Sequence, residues 1–436
     1  MQTFIIIWLG QMVSLIGSNM TAFAFSIWVW ELTHQATALA LFHLFAQIPQ
    51  ILITPIAGVI VDRINRKFVM IVGDTAGGIF TLIVLLLYLT DSLQLWHLYV
   101  AFAAKCTFEQ FQELAYSASI TTIVPKQKYS HASSLSFLAS YGSLIIAPAL
   151  AGLLYGVIGL VGILFIDVTS FLVAIVTVVR LDIPQPAIAQ SIRPEPTNII
   201  QDMSFGFKYM ISQPSLLALL ILTAIFWLIH GIGNSVYKPM ILERSGNDAG
   251  VLGSLYAAAG VGGVLGVLLI NICGGFKNRI KGILFGMIGT ALGNIILGLG
   301  RTPVIWIPAQ LYSSLNYPFL GSYTDAIWLA KVQPQLQGRV FAAKSMILLL
   351  TSALANLIGG PLADRVFEPA MMPQGSLAPI FSSIFGTGRG AGSALLYVIS
   401  SVGLLLVALS GYAFPNLHDV QKNLPDQDIE NTFKDM

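Results

Sequence analysis

The sequence predicts an all-α membrane protein, with 12 transmembrane helices arranged as two pseudo-symmetric six-helix bundles. Three observations carry that expectation. Of 436 residues, 56% are hydrophobic and only 10% are charged, whereas a soluble domain has about 25% charged residues. The apolar residues come in long runs without alternation, which suits helices rather than barrel strands. One polar interval near the middle divides the runs six and six, and the two halves carry matching marks.

A spanning helix needs about 20 apolar residues. The runs that meet this length are 4–30, 37–61, 68–90, 95–123, 131–155, 157–179, 215–241, 249–273, 280–300, 303–330, 340–363 and 391–414. The first begins at Phe4 and continues past Trp28. It is too long for a cleavable signal and is expected to be its own targeting segment. The second carries no charge from Thr37 to Val61, then ends in "GVIVDRINRK" (58–67), with Asp62, Arg63, Arg66 and Lys67 in six positions. The fourth contains Lys105, Glu109 and Glu113, the tenth Asp325 and the eleventh Lys344. After the sixth, "IPQPAIAQSIRPEP" (183–196) reads as an extended proline-rich linker. Ile199, Ile200, Met203, Phe207, Met210 and Ile211 follow at helical spacing, as in an amphipathic helix on the inner membrane surface. The expected organisation is 1–180, first bundle; 181–214, cytoplasmic linker; 215–414, second bundle; and 415–436, cytoplasmic tail.

Lys and Arg orient these runs. With the N-terminus inside, 15 of 22 fall in inner loops and the tail. Four (Arg244, Arg301, Arg365 and Arg389) fall in outer loops, and Lys105, Lys238 and Lys344 lie within spans. That bias places both termini in the cytoplasm and the chain in the cell inner membrane. A net charge of +2 without a basic block argues against nucleic acid as a partner. Cys106 and Cys273 lie in apolar runs and read as packing residues. His34, His43, His97, His131, His230 and His418 are scattered without metal-ligand spacing, and no cofactor is implied. "GTGRGAG" (386–392) follows no strand and opens an apolar span, so it is no nucleotide fingerprint.

The halves overlay. An offset of 216 places "GVIVDRINRK" on "GGFKNRIKGI" (274–283), matching Gly58 with Gly274, Arg63 with Arg279 and Ile64 with Ile280. An offset of 213 places Pro148 of the fifth run on Pro361 of the eleventh, with "IIAPALAG" on "LIGGPLAD". Transporters built from two such parallel repeats hold substrate near the bilayer midplane.

On these residues the chain resembles the major facilitator superfamily. "GVIVDRINRK" looks like its loop 2–3 signature, G-x-x-x-D-R-x-G-R-K, through Gly58, Asp62, Arg63, Arg66 and Lys67, with Asn65 replacing a glycine. Asn also enters left-handed conformations, so the departure is tolerable. "SLIIAPALAG" resembles the fifth-span antiporter motif, kept small by Ser143, Ala147, Pro148, Ala151 and Gly152. Lys105 stands where drug antiporters of the family usually carry Arg. "LQGRVFAAK" (336–344) and "GGPLADRVFEPAM" (359–371) look like the macrolide-efflux branch of drug–proton antiporters. The resemblance implies a small-molecule substrate, protons, a lipid bilayer and a monomer. It also implies that Asp62 latches the start of the eleventh helix in one state and releases it in another. An acid at the C-terminus of its own helix is misplaced, which supports a partner elsewhere. A plain positive-inside loop, with Arg63, Arg66 and Lys67 at the headgroups, explains the basic residues but not Gly58 or Asp62.

Charge within a bilayer costs at least about 2.5–3.5 kcal/mol and marks function by default. Lys105, Glu109 and Glu113 share one helical face. The expected division pairs Lys105 with Glu109, leaving Glu113 to titrate; a self-neutralising structural pair is the rival. Asp325 and Lys344 form a second candidate pair, with Lys331 as an alternative partner, and Asp74 and Asp167 are lesser candidates. By resemblance, the first, fourth, seventh and tenth spans line the cavity. The residues available there are Gln11, Asn19, Gln112, Tyr116, His230, Asn234, Tyr237, Tyr312, Asn316 and Tyr317, for substrate or for interhelical packing. The function expected is proton-coupled export of a hydrophobic or amphipathic compound. An uptake carrier or uncoupled facilitator remains open, with a receptor or membrane enzyme more remote: neither H-E-x-x-H nor G-x-S-x-G occurs.

Overall fold

The computed structural model describes residues 2–125, 129–181, 199–273, 276, 278–332, 336–414 and 417. Among them there is no strand. The helices are α1 (Gln2–Thr33), α2 (Ala36–Arg63), α3 (Arg66–Leu89), α4 (Leu95–Ile123), α5 (Tyr129–Arg180), α6 (Ile199–Ser212), α7 (Pro214–Ser245), α8 (Ala249–Cys273), α9 (Arg279–Leu299), α10 (Pro303–Lys331), α11 (Gln337–Leu362), α12 (Glu368–Ala370), α13 (Ala378–Phe385) and α14 (Ala391–Ser410). Nine stretches among the described residues are long and apolar enough to cross a membrane. One of them, Leu138–Arg180, runs through both the fifth and sixth apolar runs. The fourth and tenth runs form α4 and α10, each of 29 residues, whose polar cargo keeps them out of the nine.

α5 explains why the fifth and sixth runs look continuous. Its 52 residues carry a break at Gly159 (φ 63, ψ −171), a left-handed backbone that favours glycine. The break brings the sixth run, with Asp167, against α3 and α4.

The chain divides into two compact units. The first is Met1–Arg193 with Ser245–Ala257; the second is Pro194–Arg244 with Ala258–Met436. The first unit thus extends beyond the 1–180 expected. Ser245–Ala257 joins it through a close approach of helices: a Cβ on Gly152 of α5 would lie 2.6 Å from the Ala249 carbonyl oxygen and 2.8 Å from Gly253 Cα. The amphipathic helix α6 belongs to the second unit. Its Met210 is buried, its Ile211 is exposed, and Gly206 abuts the Arg339 carbonyl on α11. The proline-rich linker lies outside the described residues.

Each unit has its own core. In the first, Ile7, Val61, Val69, Met70, Ala115 and Val178 cluster at one end of α1–α5. In the second, Phe226, Met287, Ile327 and Trp328 anchor a larger cluster of α7, α9, α10 and α14. Near its far end, α11 leaves α-helical geometry. Pro361 cannot donate to the ladder, and a π-helical turn follows at Ala363–Phe367. Beyond it, Glu368 accepts from Gly390 N (3.2 Å), Ser393 N (2.7 Å) and Ser393 Oγ (2.7 Å), capping the start of α14.

The internal repeat is visible in local geometry, with one correction. Asn65 caps α3 by accepting from Phe68 N (3.3 Å), and Asn278 caps α9 by accepting from Lys281 N (3.1 Å). Next in line, Arg66 donates to Ala118 O on α4 (2.8 Å) and Arg279 to Ala326 O on α10 (3.4 Å). Asn65–Arg66 therefore corresponds to Asn278–Arg279, an offset of 213, the same as Pro148 to Pro361. The offset of 216 that put Arg63 on Arg279 is wrong by three residues, because it followed residue identity rather than the cap. The turns before α2 and α8 agree: His34 (φ 47) and Asn247 (φ 65) are both left-handed and 213 apart. Asn65 itself has φ −58 and ψ 116. It replaces glycine as a capping side chain, not as a left-handed residue.

Candidate functional site

The intramembrane charges of the first unit form one cluster. Lys105 and Glu109 lie one turn apart on α4, at 3.7 Å. The nearest partner of Lys105, however, is Asp167, with Nζ 3.0 Å from Oδ2. The pairing expected from the α4 face is present, and a second, nearer partner is added to it, which raises Asp167 from a lesser candidate to the centre. Asp167 is fully buried and Lys105 is 2% exposed. Ser18 of α1 donates to Asp167 Oδ1 (3.3 Å) and Thr81 of α3 to Oδ2 (3.0 Å), while Lys105 lies 5.2 Å from the Phe171 ring centroid. A buried ion pair is tolerated only when its remaining bonding capacity is filled in this way.

A hydrogen-bond chain runs alongside. Gln112 Nε2 donates to Gln11 Oε1 (2.6 Å), and Gln11 Nε2 donates to Asp74 Oδ2 (2.9 Å). Asp74 is 3% exposed and close enough to Glu109 to act on it electrostatically. The network thus holds two carboxyl groups, Glu109 and Asp167, on the Lys105 cation, and ties a third, Asp74, to the same helix through Gln11 and Gln112. At 37% side-chain exposure Glu109 is the accessible acid of the three. Glu113 is exposed and takes no part in these contacts. Glu109 joins the buried network to the accessible surface, and Glu113 stands outside it.

The fifth-span motif works through packing. Asn19 Nδ2 donates to Ser143 Oγ (3.0 Å), tying α1 to α5. Ala147 and Ala151 are fully buried, and Pro148 and Gly152 complete the surface that admits Gly253. The loop 2–3 signature is described in part. The side chains of Gly58, Asp62 and Arg63 lie outside the described residues. Arg66 donates to Ala118 O, while Lys67 donates to Val179 O (3.0 Å) and Leu181 O (2.9 Å). These two cations neutralise helix-end carbonyls rather than standing free at headgroups.

In the second unit, Lys344 pairs with Asp325 at 2.9 Å. Asp325 is 68% exposed, so the pair contributes little to stability. His230 bonds Tyr317 through Nε2 and the phenol. Ser313 Oγ donates to Asn294 Oδ1 (2.7 Å), and Asn316 Nδ2 turns back to Tyr312 O (2.8 Å) on its own helix. His230, Asn234, Asn294, Tyr397, Ser400 and Ser401 surround a cavity of about 10 Å³, room for one water. Tyr237 packs 6.0 Å from Tyr397. Tyr312 is exposed and Tyr116 half-buried. Among the described residues, no three His, Cys, Asp or Glu side chains come together to hold a metal.

The helical architecture is one this chain shares with known proteins. The model for the Major Facilitator Superfamily matches residues 7–355. The chain belongs to that superfamily. Macrolide efflux protein A of Streptococcus pyogenes is 27% identical over 370 residues, covering 83% of this chain and 90% of the relative. The multidrug efflux pump Tap of Mycolicibacterium fortuitum is 22% identical over 358 residues, covering 80% and 86%. Among solved structures, a bacterial homologue of the human lysosomal transporter Spinster, inward-facing and unoccupied, matches with a TM-score of 0.71 at 15% identity, covering 98% of each chain. The nucleoside transporter NupG matches at 0.68 and 12% identity, covering 95% of this chain and 99% of that one. The chain is accordingly a multi-pass membrane transporter of small molecules.

Proposed function

We propose that this superfamily member is an exporter of a hydrophobic or amphipathic natural product of the macrolide kind, driven by protons through alternating access. The observation that carries the reading is the cluster around Lys105: two carboxyl groups, Glu109 and Asp167, on one cation, with Glu109 the accessible acid. Lys105 balances only one of its two carboxylates, and holding the excess negative charge in an apolar bundle is costly, so a proton on Glu109, the accessible acid, relieves it. With Glu109 protonated, Lys105 belongs to Asp167 alone; with Glu109 ionised, the two acids share it. That exchange ties proton occupancy to the α4–α5 contact. The name of the S. pyogenes relative supports the substrate class. The Lys and Arg bias supports cytoplasmic termini and an inner-membrane location. Asp62, at the end of α2, acts as the conformational latch, and the transporter works as a monomer.

Reconstituted vesicles with an imposed pH gradient test the coupling. Wild-type protein concentrates a macrolide against its gradient. Glu109→Gln loses that ability yet retains substrate counterflow, and Glu113→Gln keeps both. Gradient-driven accumulation by Glu109→Gln would place the proton site elsewhere.

A further inference from the structure

The connection from α11 to α14 is a built element of two short helices and a π-helical turn. The helical stretch Arg339–Ala370 is continuous through its π-helical turn. At about 1.5 Å per residue, Arg339 and Arg365 stand about 39 Å apart along it. That exceeds the roughly 30 Å hydrocarbon core and fits within the roughly 40–45 Å that includes both headgroup layers. The two arginines therefore reach opposite headgroup layers of one bilayer.

The depth of α13 is fixed independently. Arg244, at the end of α7, donates to Gly300 O just past α9 (2.9 Å) and to Phe385 O of α13 (3.0 Å). Arg301 donates to Ile384 O (2.6 Å). α13 is thus clamped level with the ends of two spanning helices. Its inner face, Ala378 and Phe385, is buried, while Ile380 is 65% and Ile384 49% exposed. An apolar outer face is out of place in water but suits a helix lying in a membrane interface.

Between α13 and the end of the α11 stretch lies an open groove of about 530 Å³, lined by Arg365, Val366, Pro369, Ala370, Ser376 and Leu377. Its walls are apolar apart from Ser376 and one cation. The neighbouring arginines are engaged: Arg244 and Arg301 on carbonyls, Arg389 with Glu243 at 3.9 Å. The exposed Arg365 guanidinium has no partner among the described residues.

We propose that this groove is a lipid site, in which Arg365 binds the phosphate of an anionic phospholipid. Val366, Pro369 and Leu377 take its glycerol and first acyl carbons, and Ile380 and Ile384 seat α13 in the same leaflet. Arginine matches phosphate geometry through paired N–H donors. The occupant is a lipid rather than free phosphate because the groove is mostly apolar and lies at headgroup depth.

Native mass spectrometry of the full-length protein, titrated with phosphatidylglycerol or phosphatidylcholine, tests the site. The expected result is a retained phosphatidylglycerol adduct that inorganic phosphate does not displace, weakened about tenfold in Arg365→Gln. Equal retention of the two lipids, displacement by phosphate, or an unchanged Arg365→Gln overturns the proposal. Because Arg365 is exposed and unpartnered, the variant should fold, and an unshifted melting temperature confirms it. A nitroxide at Ile380→Cys, in a background lacking Cys106 and Cys273, reports depth. Collisions with oxygen should exceed those with a water-soluble nickel chelate, and the reverse order removes α13 from the membrane.

Discussion

Removing the charge of Asp167 should destabilise the protein more than removing that of Glu109. At the 3.0 Å of the Lys105–Asp167 pair, two unit charges attract by about 5.5 kcal/mol at an effective dielectric of about 20. At the 3.7 Å of Lys105–Glu109, the figure is about 4.5 kcal/mol, and the 37% exposure of Glu109 lowers it further. Asp167→Asn keeps the shape and one acceptor atom but leaves the buried cation only its longer, more exposed contact with Glu109. Breaking a buried pair costs about 3–5 kcal/mol. At roughly 2–4 °C per kcal/mol, the melting temperature should fall by about 6–20 °C. The assay is thermal unfolding in detergent, read by a dye that reacts with the buried Cys106 thiol as it becomes exposed, in a Cys273→Ser background. The double variant Lys105→Met/Asp167→Leu should recover most of the loss, because it leaves no broken pair in the core. A fall of less than about 3 °C in Asp167→Asn, with a larger one in Glu109→Gln, would refute the assignment and restore Glu109 as the main partner.

Asp62→Asn should preserve membrane insertion and impair efflux, since it removes a state-dependent charge and little volume; normal efflux at normal expression would end the latch role. Gly152→Val should cost about 1–3 kcal/mol or more, because its Cβ would stand 2.6 Å from the Ala249 carbonyl oxygen; a thermal scan and an efflux assay should both register the loss. Glu368→Ala strips the start of α14 of an acceptor for three donors and should cost about 1–3 kcal/mol, measured as a shift of the unfolding midpoint.

Much of the fold was legible in the sequence because bilayer thickness sets run length and lipid forbids unpaired backbone. The α4 face was legible for the same local reason: Lys105 and Glu109 are four residues apart, and helical periodicity predicts their contact. Asp167 was not. It lies 62 residues from Lys105, and it reaches α4 only because the chain folds back at Gly159. No local pattern encodes that distance. Arg66 and Lys67 were read as headgroup anchors because loop cations usually are. Their actual acceptors, at the ends of α4 and α5, are again remote in sequence. The capping role of Asn65 did leave a local signal, since an Asn one residue before a basic helix start recurs at Asn278.

The corrected repeat also shows where the two units differ. α4 and α10 have equal length with an offset of 208, α1 and α7 with an offset of 212, and the caps of α3 and α9 are 213 apart. In that correspondence Ser18 answers to His230, Thr81 to Asn294, Lys105 to Ser313 and Glu109 to Tyr317. The contacts correspond as well as the positions. Thr81 and Lys105 meet on Asp167 where Asn294 and Ser313 meet each other, while Ser18, at the position of the Tyr317-bonded His230, also reaches Asp167. One geometry thus carries a cation and carboxylates in the first unit, and amide, hydroxyl, imidazole and phenol groups around a water-sized cavity in the second. Neutral partners satisfy one another without desolvating a full charge. The charged cluster satisfies Lys105 and Asp167 but adds a second carboxylate, Glu109, to the one cation, and in the proposed mechanism a proton relieves that excess. The asymmetry between the repeats is therefore chemical rather than architectural, and it places the proposed energy coupling in the first unit, on α4.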